Sequence, residues 1–127
     1  MPAAVPSALT LSDAEYDRRT RDALAAIEST VDRLLQDDVI DIDASRTGGL
    51  LELRFPNGSS IVVNTQPPLQ ELWLAAQSGG FHFKASREGW FDSRDAVDFF
   101  VRLSVCASEQ GGRALSFEPV NASPPSA

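Results

Sequence analysis

The alternation of apolar and polar positions is sharpest between Leu50 and Phe83. Leu51, Leu53 and Phe55 alternate with Glu52 and Arg54, the period of a half-buried strand. Asn57-Gly58 follows, a pair that tolerates positive φ and marks a tight turn. Ile61 and Val63 return on one face, and Pro67-Pro68 then breaks the ladder. Leu72 and Leu74 flank Trp73, Ser78-Gly79-Gly80 turns the chain again, and Phe81 and Phe83 flank His82. This predicts four sequential antiparallel strands with one apolar face. The opposite face carries Glu52, Arg54, Val62, Asn64, Trp73, His82 and Lys84. An antiparallel sheet tolerates one face in water, so the apolar face alone needs a cover.

Two helices can supply it. Tyr16, Thr20, Leu24, Ile27, Val31 and Leu34 recur at three- and four-residue steps, which predicts an amphipathic helix over 13–36. Ser12 caps it, and Glu15 three residues on suggests a capping box. A second helix is expected to open at Ser93, with Asp95 in its first turn. Its stripe is Val97, Phe100, Leu103, Val105 and Ala107, widened by Phe99 and Val101, and Gly111-Gly112 stops it. Between the first helix and the sheet, Ile40 and Ile42 alternate with Asp41 and Asp43, so 37–43 reads as a strand and Ser45–Gly49 as a turn. Trp90-Phe91 reads as a short strand, and Ala114–Glu118 as a last strand or an extended segment on the helix pair. The class is α+β, a two-layer α-β sandwich with both helices on one face of an antiparallel sheet. The expected division is a flexible arm over 1–12, one domain over 13–118 and a disordered, Pro- and Ser-rich tail over 119–127.

Length and charge narrow the function. The 127 residues suit one domain, and the net charge of −7 disfavours nucleic acid or an anionic membrane as partner and favours cations or basic proteins. A single cysteine, Cys106, excludes an internal disulfide and fits a reducing cytoplasm. It reads as a small buried residue, and His82 as a strand residue facing solvent. With one histidine there is no zinc triad and no Cys-His nucleophile pair. No Gly-rich loop carries a phosphate-binding lysine. No catalytic residue is assigned.

The unusual feature is acidic. Glu28, Asp32, Asp37, Asp38, Asp41 and Asp43 fall within sixteen residues, with Arg33 the one basic residue among them. Such charge can be a solvated face, or protection of a sheet edge against pairing. Against that, carboxylates one helical turn apart repel by roughly 0.7 kcal/mol even in water, and a bound cation or a basic partner relieves the repulsion. An all-oxygen set suits hard ions such as Ca²⁺, Mn²⁺ and Fe³⁺, and Fe²⁺ less tightly, with little selectivity. Trp73 is the second unusual residue. It is either an exposed interaction anchor or is folded over by Gln66 and the Pro67-Pro68 segment.

The run Asn57-Gly58-Ser59, Ile61-Val62-Val63-Asn64, Gln66-Pro67-Pro68-Leu69-Gln70-Glu71-Leu72-Trp73-Leu74-Ala75 and Gly79-Gly80-Phe81-His82-Phe83 resembles the frataxin family, and within it the short bacterial form. The resemblance covers about Leu11 to Phe117. It implies a non-enzymatic iron-binding protein of iron–sulfur cluster assembly, regulator of the cysteine desulfurase/scaffold complex or iron donor. It implies weak binding of Fe²⁺ or Fe³⁺, and of other divalent cations, by an acidic ridge. The matching positions are Glu28, Asp32, Asp37, Asp38, Asp41 and Asp43, with Asp17 an outlier upstream. The same ridge, through Glu28 and Asp32, is implied to meet the basic surface of a cysteine desulfurase. Trp73, with Asn64 and Gln66, is implied to meet an iron–sulfur scaffold protein. A cytoplasmic monomer is expected. Two departures stand out: Arg33 and Leu34-Leu35-Gln36 replace further acids, and Thr65 replaces a usual basic residue. The competing readings are a pure protein-interaction module with incidental iron, and a ferroxidase-like iron-storage protein, against which the lack of a histidine in the ridge argues.

Overall fold

The computed structural model describes residues 7–119. Of the expected arm and tail, residues 1–6 and 120–127 lie outside the described residues. Helix α1 (Asp13–Gln36) is followed by strands β1 (Asp43–Thr47), β2 (Leu50–Arg54), β3 (Ser60–Gln66), β4 (Glu71–Ala76), β5 (Gly79–Ala85) and β6 (Trp90–Asp92), then by α2 (Phe99–Gly111). A short 3₁₀ turn, Pro67–Leu69, links β3 to β4. The six strands lie side by side in chain order, each antiparallel to the next.

Both helices cover one face of the sheet. Leu24, Ile27 and Val31 of α1 meet Leu51, Leu53, Ile61, Val63, Leu72, Leu74 and Phe83 of the sheet and Phe99, Leu103 and Cys106 of α2 in one core. The four-strand alternation holds, and each residue expected on the apolar face is buried or packed against that core. Phe81 is only partly buried, and the guanidinium of Arg102 stands 4.6 Å from its ring centroid. Cys106 is buried and His82 exposed, as expected. Among the described residues, no helix is long and apolar enough to cross a membrane.

α1 spans the expected residues. Ser12 Oγ accepts from the Glu15 N–H at 3.1 Å, while the Glu15 carboxylate turns to Arg18 at 2.5 Å, so half of the capping box forms. Tyr16 ties the helix to the sheet. Its hydroxyl donates to the Glu71 carbonyl at 2.6 Å and accepts from the Gln66 N–H at 2.9 Å, holding the ends of β3 and β4 together across the 3₁₀ turn. Burial is the main cause that pushes the Tyr16 phenol up. The chain before α1 is also tied down: the Leu9 N–H donates to the Ala85 carbonyl, and Gln70 brackets the Leu11 peptide on both sides.

Three local expectations are corrected. The acidic segment 37–43 is no strand. α1 ends in a Schellman arrangement, with the Val39 N–H on the Leu34 carbonyl, the Asp38 N–H on the Leu35 carbonyl and Asp38 at φ 58. The ladder then begins only at Asp43, opposite Arg54. Residues before Asp43 have no strand to pair with, because β2 stops at Arg54 and Phe55–Ser59 turns away. For the same reason Ser45 to Thr47, expected as a turn, belong to β1, and the turn is Gly48-Gly49. Gly49 is needed there because a Cβ would stand 2.0 Å from Thr65 Oγ1.

The cap of α2 is Asp98 and not Ser93. Asp98 Oδ2 accepts from the Phe100 and Val101 N–H groups. Ser93 to Val97 instead make a loop around the buried Asp92, which accepts from the Arg94 backbone and guanidinium, with Ala96 at φ 64. Asp95 pairs with Arg102. Val101 and Val105, expected on the apolar stripe, are exposed, and the buried face of α2 is instead Phe99, Phe100, Leu103, Cys106 and Ala107. Asp98→Ala is expected to cost about 0.5–2 kcal/mol and Ser93→Ala less than about 0.5 kcal/mol, measured by chemical denaturation. Equal effects would remove Asp98 as the cap.

The last segment, Ala114–Glu118, is extended but joins no ladder. Ser108 Oγ accepts from the Leu115 N–H and Ser104 Oγ from the Phe117 N–H. Two hydroxyls one helical turn apart thus hold alternate residues of the strap, and Leu115 and Phe117 point into the core.

Candidate functional site

The six acidic residues of the expected ridge are placed by the end of α1 and the approach to β1. Glu28 and Asp32 lie one turn apart on α1, Asp37 is its C-cap, Asp38 is the left-handed residue after it, Asp41 lies in the extended connection and Asp43 opens β1. Glu28 is half-buried and the other five are exposed. Among the described residues, no three His, Cys, Asp or Glu side chains converge closely enough to form a ligand cage for a metal ion. The ridge is a strip of separate carboxylates. Asp17, the upstream outlier, is paired with Arg21 at 2.8 Å.

The strip is also uneven. Glu28 is held by Arg46 of β1, Nη2 to Oε1 at 2.5 Å and Nε to Oε2 at 3.3 Å, whereas Asp32, Asp37, Asp38, Asp41 and Asp43 make no ion pair within the described residues. Arg46 was missed because residues 45–49 read as a turn. As part of an edge strand it stands opposite Leu51, on the side where α1 lies, and reaches Glu28. Asp37 and Asp38 sit at the C-terminal end of α1, where the helix dipole disfavours negative charge by roughly 0.3–1 kcal/mol per group. At Asp37 and Asp38 that cost is offset by no ion pair among the described residues.

The second candidate lies on the uncovered face of the sheet. Asn64, Trp73 and His82 occupy one cross-strand row, Asn64 opposite Trp73 and Trp73 opposite His82. Gln66, opposite Glu71, lies in the next row. Trp73 is half-buried and its indole stacks flat on the His82 ring, 4.0 Å between centroids and 9° between planes. Leu50 and Leu69 are exposed at 41% and 55%, and Leu50 continues the row on the far side of Asn64.

Beside the indole is a polar group that the sequence reading passed over. Glu71 is 9% exposed. One of its oxygens accepts from Trp73 Nε1 at 2.7 Å and the other from Lys84 Nζ at 2.6 Å. Burial pushes this carboxyl up, but the bonds from Lys84 and Trp73 and the charges of Lys84 and His82 outweigh it, and the net shift is downward. A depressed carboxyl stabilises the fold above its unfolded pKa of about 4.3 and loses that contribution as pH falls through its folded value. At neutral pH the group is ionised. The signal was present in the sequence: Glu71 is two residues from Trp73 in one strand and therefore shares its face.

The comparisons with known proteins agree with this architecture. The profile of a frataxin-like domain matches residues 9–113. The chain is 47% identical over 107 residues to the iron-sulfur cluster assembly protein CyaY of Polaromonas sp., covering 84% of this chain and 92% of that one. It is 46% identical over 107 residues to the protein of the same name from Variovorax paradoxus, covering 84% and 97%. Among solved structures, frataxin from Psychromonas ingrahamii superposes with a TM-score of 0.75 at 27% identity, over 85% of this chain and 99% of that one. Trimeric frataxin from the yeast Saccharomyces cerevisiae, complexed with ferrous iron, shares the fold at a TM-score of 0.63 and 21% identity, over 86% of this chain and 94% of that one.

Proposed function

The chain belongs to the frataxin-like family, and on that premise we propose that it is a non-catalytic, iron-binding regulator of iron–sulfur cluster assembly. The names of its relatives support the process. The observation that carries the regulatory part is the exposed, uncompensated acidic strip: five carboxylates without an ion pair among the described residues, two of them at the wrong end of a helix dipole. Iron is the ligand sensed or carried. It binds to one or two carboxylates at a time with water completing the shell, so the affinity is micromolar or weaker, roughly −8 kcal/mol at most. The same strip presents Asp32, and Glu28 once Arg46 is displaced, to the basic surface of a cysteine desulfurase. Trp73, Asn64 and Gln66 form a separate face toward the scaffold protein. The protein acts in the cytoplasm as a monomer.

The test is a reconstituted cluster-assembly assay, with and without this protein, across a series of Fe²⁺ concentrations. The expected result is a change in the rate of cluster formation whose size, and at high iron whose sign, depends on Fe²⁺. An effect of constant size would make the protein an interaction module with incidental iron. Fe²⁺-dependent oxygen uptake catalysed by the protein alone would make it a ferroxidase. No effect at any iron concentration would remove the regulatory role.

A further inference from the structure

A tryptophan on an open sheet face is ordinarily free to swing about two side-chain torsions, and a partner that docks on it must immobilise it at a cost in affinity. Trp73 is already immobilised. Its flat side lies on His82, and its one polar atom, Nε1, donates to the Glu71 carboxylate. Glu71 is in turn fixed by Lys84 Nζ from β5, while its own carbonyl is bound by the Tyr16 hydroxyl. Glu71 therefore links β4 to β5 through side chains and to α1 through its backbone. An indole N–H bonded this way is satisfied from within the molecule, so the face offers a partner the ring surface and not a donor.

Resting on the reading of Trp73 as a partner-docking residue, we propose that Glu71 is the positioning residue of that face, holding the indole in its docking orientation through the Glu71–Trp73 hydrogen bond and the Glu71–Lys84 ion pair. The occupant that fits is an apolar or planar side chain of the scaffold protein laid on the indole, with Leu50 and the amide of Asn64 beside it. A basic side chain fits less well, because the nearest acid is already occupied by Lys84 and is nine-tenths buried.

The test uses the full ¹⁵N-labelled chain and the purified scaffold protein. The Trp73 indole resonance is identified by its loss in Trp73→Ala, and Trp90, which is buried, serves as the reference. In the wild type the Trp73 Nε1 proton is expected to exchange slowly with water although the ring is part exposed. In Glu71→Ala it should exchange about tenfold faster or more, and scaffold affinity should fall by about three- to tenfold. Glu71→Gln loses the ion pair and offers one acceptor oxygen to two donors, so its indole exchange and scaffold affinity should lie between those of wild type and Glu71→Ala. If Glu71→Ala does not fold, Glu71→Gln and Lys84→Met, each of which breaks the ion pair, carry the test: faster indole exchange with weaker scaffold binding supports the proposal, and wild-type exchange in both overturns it. Unchanged exchange in Glu71→Ala, or a freed indole with unchanged scaffold affinity, would overturn the proposal. If Trp73→Ala binds the scaffold as wild type does, the docking reading itself falls, and the exchange data show whether the clamp exists without that use.

Discussion

Phe83→Ala is expected to destabilise the fold by about 3–5 kcal/mol, and Trp73→Ala by less, about 1–2 kcal/mol. The two aromatics lie on neighbouring strands in adjacent rows, with Phe83 opposite Leu72 and Trp73 opposite His82. Phe83 is fully buried, on the helix side, and meets Phe99 edge to face at 5.1 Å. Its removal leaves a cavity beneath α2 that the β5 backbone cannot close. Trp73 is larger, but it is only half-buried and its ring rests on an exposed histidine. Its loss forfeits a stack and one hydrogen bond, and the Glu71 oxygen it leaves can turn to solvent. In melting temperature, the difference is about 10–25 °C for Phe83→Ala against a few degrees for Trp73→Ala. Scaffold binding should reverse the order, with Trp73→Ala strongly impaired. Two equal drops in melting temperature would place Trp73 in the core and remove the open face as a docking surface.

Why this contrast was legible before any coordinates is a matter of period. A strand has two faces and a fixed alternation, so Leu72 and Leu74 decide where Trp73 points. A period cannot set where a strand begins. Ile40 and Ile42 alternate with Asp41 and Asp43 as a strand should, and Ile42 is buried while Asp41 and Asp43 are exposed. The segment is nonetheless unpaired until Asp43, because pairing depends on the length of β2, which the turn at Asn57-Gly58 limits. That error hid Arg46 and with it the neutralisation of Glu28. The start of α2 failed for another reason. Ser93 and Asp98 are both good caps, and the choice is made by the burial of Asp92 and the left-handed Ala96, which is tertiary information. Glu71 was legible by face but was not singled out, since burial and its two donors appear only when β4 and β5 are side by side.

The acidic strip gives the other large effect, and the Glu28–Arg46 pair makes it specific. Association of an acidic strip with a basic surface is driven by charge that reaches over a Debye length of ~8 Å at physiological salt. Steering of this kind raises association rates from ~10⁵–10⁶ to as much as 10⁸–10⁹ M⁻¹s⁻¹ at low salt. Glu28 is bound to Arg46 and contributes little field, whereas Asp32 has no ion pair among the described residues. Glu28→Lys nevertheless leaves Arg46 uncompensated and shifts the strip by two charges, as Asp32→Lys does, so the two are expected to slow association with the desulfurase by similar factors and the double variant by about tenfold or more, with little change in dissociation. Arg46→Ala should act in the opposite direction, because it releases Glu28 and adds one net negative charge. Neutralising Asp38, Asp41 and Asp43 to Asn should weaken iron binding in calorimetry. It should also leave stability unchanged or raise it, since Asn tolerates the left-handed position of Asp38 and no longer opposes the α1 dipole. On the proposed function iron and the desulfurase would neutralise the same carboxylates, so excess Fe²⁺ should slow association in the wild type and lose that effect in the triple Asn variant. Surface plasmon resonance across a salt series decides the matter. An association rate indifferent to salt and to Asp32→Lys would move the desulfurase contact off the strip and leave the carboxylates to iron alone.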